Sequence, residues 1–155
     1  MKIAVVIPCY RVTKHILAVL EKIPESVQAI YCVDDCCPDN SGELIKTECK
    51  DKRVNVLRHV MNQGVGGAMI TGYEQALNDG ADIIVKLDGD GQMDPALIDI
   101  FTAPIINGDC DYTKGNRFYN VDDVRKMPGI RLFGNAMLSF MTKLSSGYWQ
   151  LFDPT

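Results

Sequence analysis

The fold is decided by the stretch Ile83-Ile84-Val85-Lys86-Leu87-Asp88-Gly89-Asp90-Gly91-Gln92-Met93-Asp94. Its first five residues are mostly apolar or β-branched, a composition typical of a buried strand. The acids and glycines that follow cannot continue the strand, so the carboxylates lie at its carboxyl end. Open α/β sheets bind ligands at that end of their strands. The stretch therefore predicts an α/β sheet and the edge at which its site lies.

The acidic part of this stretch predicts a metal site. Asp88 and Asp90 point to the same face of an extended chain, and the intervening glycines let the backbone bend until both carboxylates and Gln92 face one point. Two carboxylates and an amide oxygen suit Mg²⁺ or Mn²⁺, since Mg²⁺ usually takes only one or two protein carboxylates and completes its shell with water and phosphate oxygens. We expect these three residues to bind a Mg²⁺ or Mn²⁺ ion that carries substrate phosphates.

Two other interpretations of the acidic stretch stay open. Asp-Gly pairs are common in turns, so an unliganded surface loop is one of them. A calcium loop is the other, because four acidic or amide residues alternate from Asp88 to Asp94. Met93 stands where that loop requires glycine, Asp99 stands where it requires glutamate, and a strand precedes it instead of a helix, all of which disfavour calcium.

Length and charge limit the class of protein. A chain of 155 residues, 46% of them hydrophobic, is enough for one domain with one core. The net charge of −4 argues against a protein that coats nucleic acid or anionic lipid through bulk charge, so we expect no nucleic-acid partner. No apolar run approaches the roughly 18 residues of a membrane-spanning helix. The six cysteines form no Cys-x-x-Cys pair, so zinc is not expected and we interpret them as reduced thiols of a cytosolic protein.

Strands and helices alternate along the chain. The pattern predicts strands at residues 2–7, 29–33, 54–57, 83–87 and 111–114. Helices are expected at residues 16–23, after a cap at Asn40 or Ser41, between a glycine cluster and Gly80, after a cap at Asp94, and at 131–144. Loops bearing Tyr10, Asp35 and Asp88 follow three of the strands, which gives them one shared rim.

Two of these helices carry further expectations. Glycines 64, 66 and 67 precede the third helix, which presents Met69, Ile70, Tyr73, Ala76 and Leu77 on one apolar face. Backbone N–H groups at Gly64 and Gly66 could approach an anion at the positive end of that helix, while a plain tight turn is the alternative. The apolar stripe at 131–144 is typical of a core helix, with a membrane-surface helix as the alternative.

Five motifs in this order and spacing resemble the family 2 glycosyltransferases with the GT-A fold. They are Ile7-Pro8-Cys9-Tyr10, Val33-Asp34-Asp35, Asn62-x-Gly64-x-Gly66-Gly67-Ala68, Asp88-Gly89-Asp90-Gly91-Gln92 and Gly115-Asn116-Arg117-Phe118. Gln92, which ends the acidic motif, makes the chain resemble one branch of this family, the dolichol-phosphate-mannose-synthase-like enzymes. Members of that branch move a sugar from a nucleoside diphosphate to a polyprenyl phosphate. The resemblance implies a Rossmann-like, open, mostly parallel sheet flanked by helices. It also implies that residues 1–155 are a single catalytic domain, truncated at its C-terminal end.

The resemblance implies roles for particular residues on the donor side. Asp88 would contact the ribose and the metal, and Asp90 and Gln92 would ligate the metal that bridges the diphosphate. Asp35 would accept a hydrogen bond from a ring N–H of the base. The residues that would hold the base are Pro8, Tyr10, Val33 and Asp35.

On the acceptor side the resemblance implies that Arg117 and Arg131 bind the phosphate of a dolichyl or undecaprenyl chain, with Asp153 an acid close by. The expected reaction inverts the anomeric centre of a sugar taken from a UDP or GDP donor. Transfer to a glycan hydroxyl, with Asp153 as base, is one alternative, and a non-catalytic nucleotide-sugar-binding module is another. A protein at the cytoplasmic face of a membrane, with peripheral lipid contact, and a homo-oligomer are further expectations.

Two departures from the family pattern fall in the base pocket. Arg11 and Val12 follow Tyr10, where relatives commonly have Asn and an acid. Cys36 and Cys37 replace the Gly-Ser pair that often follows the base-binding acid. The choice between UDP and GDP therefore stays open.

Overall fold

The computed structural model describes residues 1–115, 134, 137–141, 143 and 144. The chain divides into two compact units, Met1–Thr113 and Lys114–Thr155. The described residues of the second unit beyond 115 are all helical, and the rest of the helix predicted at 131–144 lies outside the described residues. A single catalytic domain spanning residues 1–155 stays a prediction.

The first unit is built on four parallel strands in the order β3-β2-β1-β4. Apolar residues on both faces suit the two central strands to the interior of a sheet covered by helices, whereas the two edge strands are only partly buried. The strands are β1 (Ile3–Cys9), β2 (Ala29–Asp34), β3 (Val54–Arg58) and β4 (Ile83–Lys86). The four strands predicted here are confirmed to within two residues at each end. The fifth is wrong, because residues 111–114 form no strand in the structure.

Helices connect the strands as the alternation predicts. They are α1 (Ile16–Glu21), α2 (Ser41–Glu48), α3 (Gly64–Asn78) and α4 (Ile98–Ile106), with a 3₁₀ turn at Pro95–Leu97 leading into α4. The predicted cap at Asp94 is confirmed, since its Oδ1 accepts the N–H of Ala96 at 3.1 Å and Pro95 takes the first helical position. No helix among the described residues is both long and apolar enough to cross a membrane.

The start of α2 is held differently from the prediction. Asn40 takes a left-handed conformation with φ of 53° and its side chain makes no capping bond. The carboxylate of Asp34 accepts the N–H groups of Cys37 at 2.8 Å and Gly42 at 3.2 Å instead. Through Gly42, this buried acid at the end of β2 thus satisfies a first-turn donor that an N-cap side chain usually satisfies.

The core lies on both faces of the sheet. One cluster packs β1 and β2 side chains against residues of α1, α2 and α4, including Ile16, Ile45 and Ile98. The second packs Val6, Tyr31 and Val33 against α3. Tyr31 also donates its hydroxyl to Asp79 at 2.6 Å, which fastens the end of α3 to β2, and burial together with this bond raises the pKa of Tyr31 to about 12.

The face that α3 turns to the sheet agrees with the predicted one at Met69 and Ala76 and differs from it elsewhere. Ile70 and Leu77 are 60% and 62% exposed, whereas Ala68, Met69, Gly72 and Ala76 are buried. The small residues decide this, because a Cβ at Gly72 would overlap Val6 Cγ1 on β1. Close backbone approach outweighed the apolar pattern as the factor that sets the rotation of the helix.

This close approach can be tested by comparing two glycines of α3. Gly72→Ala should destabilise the fold by about 1–3 kcal/mol, because the added methyl group overpacks a filled core. Gly66→Ala is the matched control, since its Cβ would meet nothing within 4 Å. It should be neutral or stabilising by up to about 1 kcal/mol through helix propensity. Urea unfolding followed by circular dichroism measures both, and equal stabilities would contradict the packing.

Candidate active site

A cleft of about 400 Å³ opens at the carboxyl ends of the strands. Its walls come from the loops after β1, β2 and β4 and from the start of α3, which is the edge predicted from the sequence. The residues that line it are Pro8, Cys9, Tyr10, Val12, Asp35, Asn62, Gly64, Val65, Ala68, Asp88, Gly89 and Asp90.

The cleft brings together six of the residues predicted for the site and leaves others apart. Those that line it are Pro8, Tyr10, Asp35, Gly64, Asp88 and Asp90. The Val33 side chain is fully buried in the core against α3, and Gly66 is exposed on the helix outside the lining. Gln92 lines a neighbouring cavity of about 300 Å³, together with His15 and Lys22. Arg117, Arg131 and Asp153 lie outside the described residues.

Asp35 is the most enclosed acid of the cleft, with 3% of its surface exposed. Its Oδ1 accepts the Gln63 N–H at 2.8 Å and lies 2.7 Å from His59 Nδ1. Burial raises the pKa of this carboxyl, but the hydrogen bonds from Gln63, His59 and Gly64 outweigh it, so that the pKa lies below its usual value. Asp35 is therefore an ionised acceptor that also satisfies an amide at the start of α3.

His59 was missed by the sequence analysis. It directly follows β3, is 8% exposed, and places Nε2 2.9 Å from the Thr71 hydroxyl. A sequence signal for His59 did exist. His59 directly follows β3 and Asp35 directly follows β2, and these strands are parallel neighbours that end at the same edge of the sheet.

The loop that carries the other two acids packs closely on β1 and α1. A Cβ at Gly89 would lie 3.2 Å from Ile16 Cδ1 and 3.3 Å from Ile7 Cγ2, so glycine lets this segment rest against the core. Asp88 Oδ1 lies 2.9 Å from Lys86 Nζ. Asp90 Oδ1 accepts the Gln92 N–H at 2.9 Å, which closes the turn after Asp90.

The donor set is compatible with a divalent cation. Asp88 and Asp90 offer hard oxygen ligands at the same wall, and both are accessible from the cleft. No cluster of three or more His, Cys, Asp or Glu side chains suited to a metal occurs in the described part of the chain. A cation held here would therefore need further oxygens from phosphate or water, as Mg²⁺ usually does.

Cys37 joins the two loops that carry Tyr10 and Asp35. Its buried sulfur accepts the Arg11 N–H at 3.1 Å and lies 3.1 Å from the Ser41 hydroxyl. Burial raises the pKa of this thiol, but the hydrogen bonds from Ser41 and Arg11 outweigh it and lower the pKa. Arg11 and Cys36 both take left-handed conformations, with φ of 57° and 52°. Two of the four residues that depart from the expected pattern thus take strained backbone conformations directly beside residues that line the cleft.

All six cysteines lie within the described residues and are free thiols. Cys9, on the cleft wall, is buried against Cys32, and the pKa of Cys9 lies well above its usual value because of its bond to Cys32 and its burial. A neutral, enclosed thiol of this kind is a poor nucleophile, which argues for packing as its role.

Comparison with known proteins identifies relatives that align with nearly the whole of this chain. UDP-N-acetylglucosamine–dolichyl-phosphate N-acetylglucosaminyltransferase of Methanococcus voltae is 35% identical over 161 residues, covering 95% of this chain and 64% of the relative. Undecaprenyl-phosphate mannosyltransferase of Micrococcus luteus is 28% identical over 159 residues, covering 96% of this chain and 65% of the relative. The chain thus spans slightly less than two thirds of these curated relatives.

Solved structures support the fold. Residues 1–349 of S. aureus TarS in complex with UDP align with a TM-score of 0.60 and 23% identity over 78% of this chain and 38% of that one. The complex with UDP-GlcNAc gives a TM-score of 0.59 with 21% identity, over 78% of this chain and 37% of that one. The predicted GT-A fold, with its parallel sheet flanked by helices, is confirmed. Residues 4–155 match the family described as glycosyl transferase family 2, and the chain belongs to that family.

Proposed function

We propose that this chain supplies the catalytic domain of an inverting glycosyltransferase that moves a sugar from a nucleoside diphosphate to a polyprenyl phosphate. The observation that carries the proposal is the convergence of Asp35, Asp88 and Asp90 on one cleft in a family 2 chain. The names of its relatives from Methanococcus voltae and Micrococcus luteus state dolichyl-phosphate and undecaprenyl-phosphate transfer, which supports this class of acceptor.

The donor is proposed to lie along the cleft with its base toward Asp35. An ionised carboxylate accepts a ring N–H of uracil or guanine, and the enclosed position of Asp35 excludes water that would compete. The diphosphate would then reach the start of α3, where Gly64 lines the cleft. The Gly64 N–H already donates to Asn62 Oδ1, so the helix N–H groups that follow it would face the phosphates. The relative named for UDP-N-acetylglucosamine favours a UDP-sugar, with GDP as the alternative.

Asp88 and Asp90 are the residues proposed to hold Mg²⁺ or Mn²⁺ beside the diphosphate. Gln92 lines the neighbouring cavity, so it would have to turn toward the cleft to serve as the third ligand. When bound, the cation would neutralise the charge that develops on the departing nucleoside diphosphate. Lys86 is 42% exposed and contacts Asp88, so it limits the negative charge of this wall while the carboxylates remain accessible.

The acceptor determines whether the domain needs a base. A phosphate monoester has a second pKa of about 6 and is already largely ionised at pH 7, so it needs orientation more than deprotonation. Arg117 and Arg131 are proposed to orient it, since the planar guanidinium donates two parallel hydrogen bonds to phosphate oxygens. A glycan hydroxyl would need Asp153 as base, which makes that acceptor the second candidate. Because a polyprenyl chain resides in lipid, peripheral contact with the cytoplasmic face of a membrane belongs to the proposal.

Metal dependence can be tested with two acids of the same loop. Asp90→Asn should weaken UDP binding in Mn²⁺ by about tenfold or more, which corresponds to about 1.4 kcal/mol. Asp94→Asn is the matched control, because it lies outside the cleft and asparagine is an equally good helix cap. Calorimetry with and without EDTA measures the effect. If the parent protein binds UDP equally well with and without EDTA, the metal plays no part in donor binding and this part of the proposal is wrong.

Base recognition can be tested at Asp35. Two N–H donors converge on Oδ1, so Asp35→Asn should keep its amide oxygen there and turn its NH₂ group toward the ligand. A donor would then face the ring N–H, and UDP affinity should fall by about 1–3 kcal/mol. Inorganic pyrophosphate, which has no base, should bind the variant and the parent equally. Equal UDP affinities would show that Asp35 serves only the turn and the helix.

Acceptor recognition can be tested by mass-spectrometric detection of sugar transfer from UDP-N-acetylglucosamine to a short polyprenyl phosphate by the full-length protein. Arg131→Lys should raise the KM for the polyprenyl phosphate by about tenfold and leave the donor KM unchanged, because lysine offers only a point charge. Arg125→Lys is the matched control and should behave as the parent. A defect confined to the donor, or none at all, would contradict the assignment and favour a glycan hydroxyl.

A further inference from the structure

We propose that His59 is a positioning residue for donor specificity, which fixes the Asp35 carboxylate so that the cleft distinguishes bases by their ring N–H. This inference rests on the proposed function, in which Asp35 contacts the base. His59 does not line the cleft, so its effect on a ligand would pass through Asp35.

The His59 ring is held at both of its nitrogen atoms. Nδ1–H donates to Asp35 Oδ1 at 2.7 Å, since an ionised carboxylate can only accept. Nε2 lies 2.9 Å from the Thr71 hydroxyl, a hydrogen-bond distance. Thr71 belongs to α3, so the ring bridges the loop after β2 and the helix that borders the cleft. Burial of the ring leaves it little freedom to turn.

These contacts determine which part of Asp35 is available to a ligand. A carboxylate rotates easily about its terminal torsion and by itself presents either oxygen. Two donors, His59 Nδ1–H and the Gln63 N–H, converge on Oδ1 from protein elements that are packed in place. Rotation would break both bonds at a site with little access to water, where an unpaired polar group is costly. Fixing one oxygen therefore orients the other.

The electrostatic setting supports the same role. The lowered pKa of Asp35 keeps the carboxyl ionised at neutral pH, as an acceptor of a ring N–H must be. His59 contributes to this through its hydrogen bond. An acid without His59 would be less firmly oriented.

Two amide variants separate the contacts of His59. In His59→Asn the side-chain nitrogen occupies about the place of Nδ1, so the bond to Asp35 is kept and the bond to Thr71 is lost. In His59→Gln the nitrogen occupies about the place of Nε2, so the Thr71 contact is kept and the bond to Asp35 is lost. Both variants retain a polar group and one partner, and each serves as the control for the other.

The readout is the ratio of two dissociation constants, measured by calorimetry in Mn²⁺. One ligand is UDP and the other is its 3-methyluracil analogue, which lacks the ring N–H. In the parent we expect UDP to bind about tenfold or more tightly than the analogue. The ratio should stay within about threefold of the parent value in His59→Asn and fall to about threefold or less in His59→Gln. Pyrophosphate should bind all three proteins within about twofold.

Three results would overturn the inference. If His59→Gln keeps the parent ratio while Asp35→Asn loses it, Asp35 reads the base without help from His59, and the proposed function stands. If His59→Gln loses UDP and pyrophosphate affinity in parallel, His59 is only structural. If Asp35→Asn itself keeps the parent ratio, base recognition by Asp35 fails, and the inference fails with it.

Discussion

Parallel hydrogen bonding of β1 on both of its edges is the constraint on which the site depends. The register aligns Cys9 with Asp34 on one side and Val6 with Lys86 on the other. Because all three strands run in the same direction, their next residues leave the sheet at one edge. Tyr10, Asp35 and Asp88 are distant in sequence and meet there for this reason alone. A slip of one residue in either ladder would turn the following side chains to the opposite face.

The second constraint is the closeness of α3 to the sheet. Glycine and alanine on its inner face let the helix backbone approach Val6, and this places its first turn against the loop after β2. The same closeness brings Thr71 within reach of His59, and Gln63 within reach of Asp35. Packing of small residues in the core is thereby connected to the geometry of a polar network at the cleft, since a helix moved outward would lose both contacts.

The strands and the shared rim could be predicted because they depend on local composition and on a general property of parallel sheets. Runs such as Ile83 to Val85 carry their own evidence of burial, and acids after strands must lie at the carboxyl edge. The face of α3 could not be predicted, because Ile70 and Leu77 satisfy the apolar period while the smallest residues face the sheet. The Asp35–His59 contact also escaped, since its 24-residue separation has no periodic signature. The spacing of the acidic motif predicted Gln92 beside Asp88 and Asp90. In the structure, the Gln92 N–H closes a turn on Asp90 and Gln92 lines a second cavity.

Asp35 serves the fold and the cleft at once, and this affects how sequences of this kind are interpreted. Its carboxylate satisfies the backbone at the start of α3 whether or not a ligand is present. A descendant that had lost catalysis would still be selected to keep an oxygen at this position, because a side chain without one would leave a partly buried amide unpaired. Retention of this residue is therefore weak evidence of activity in any related chain. Under the proposed function, the acids at positions 88 and 90, which accept no N–H group of a helix, would be the better markers of an active enzyme.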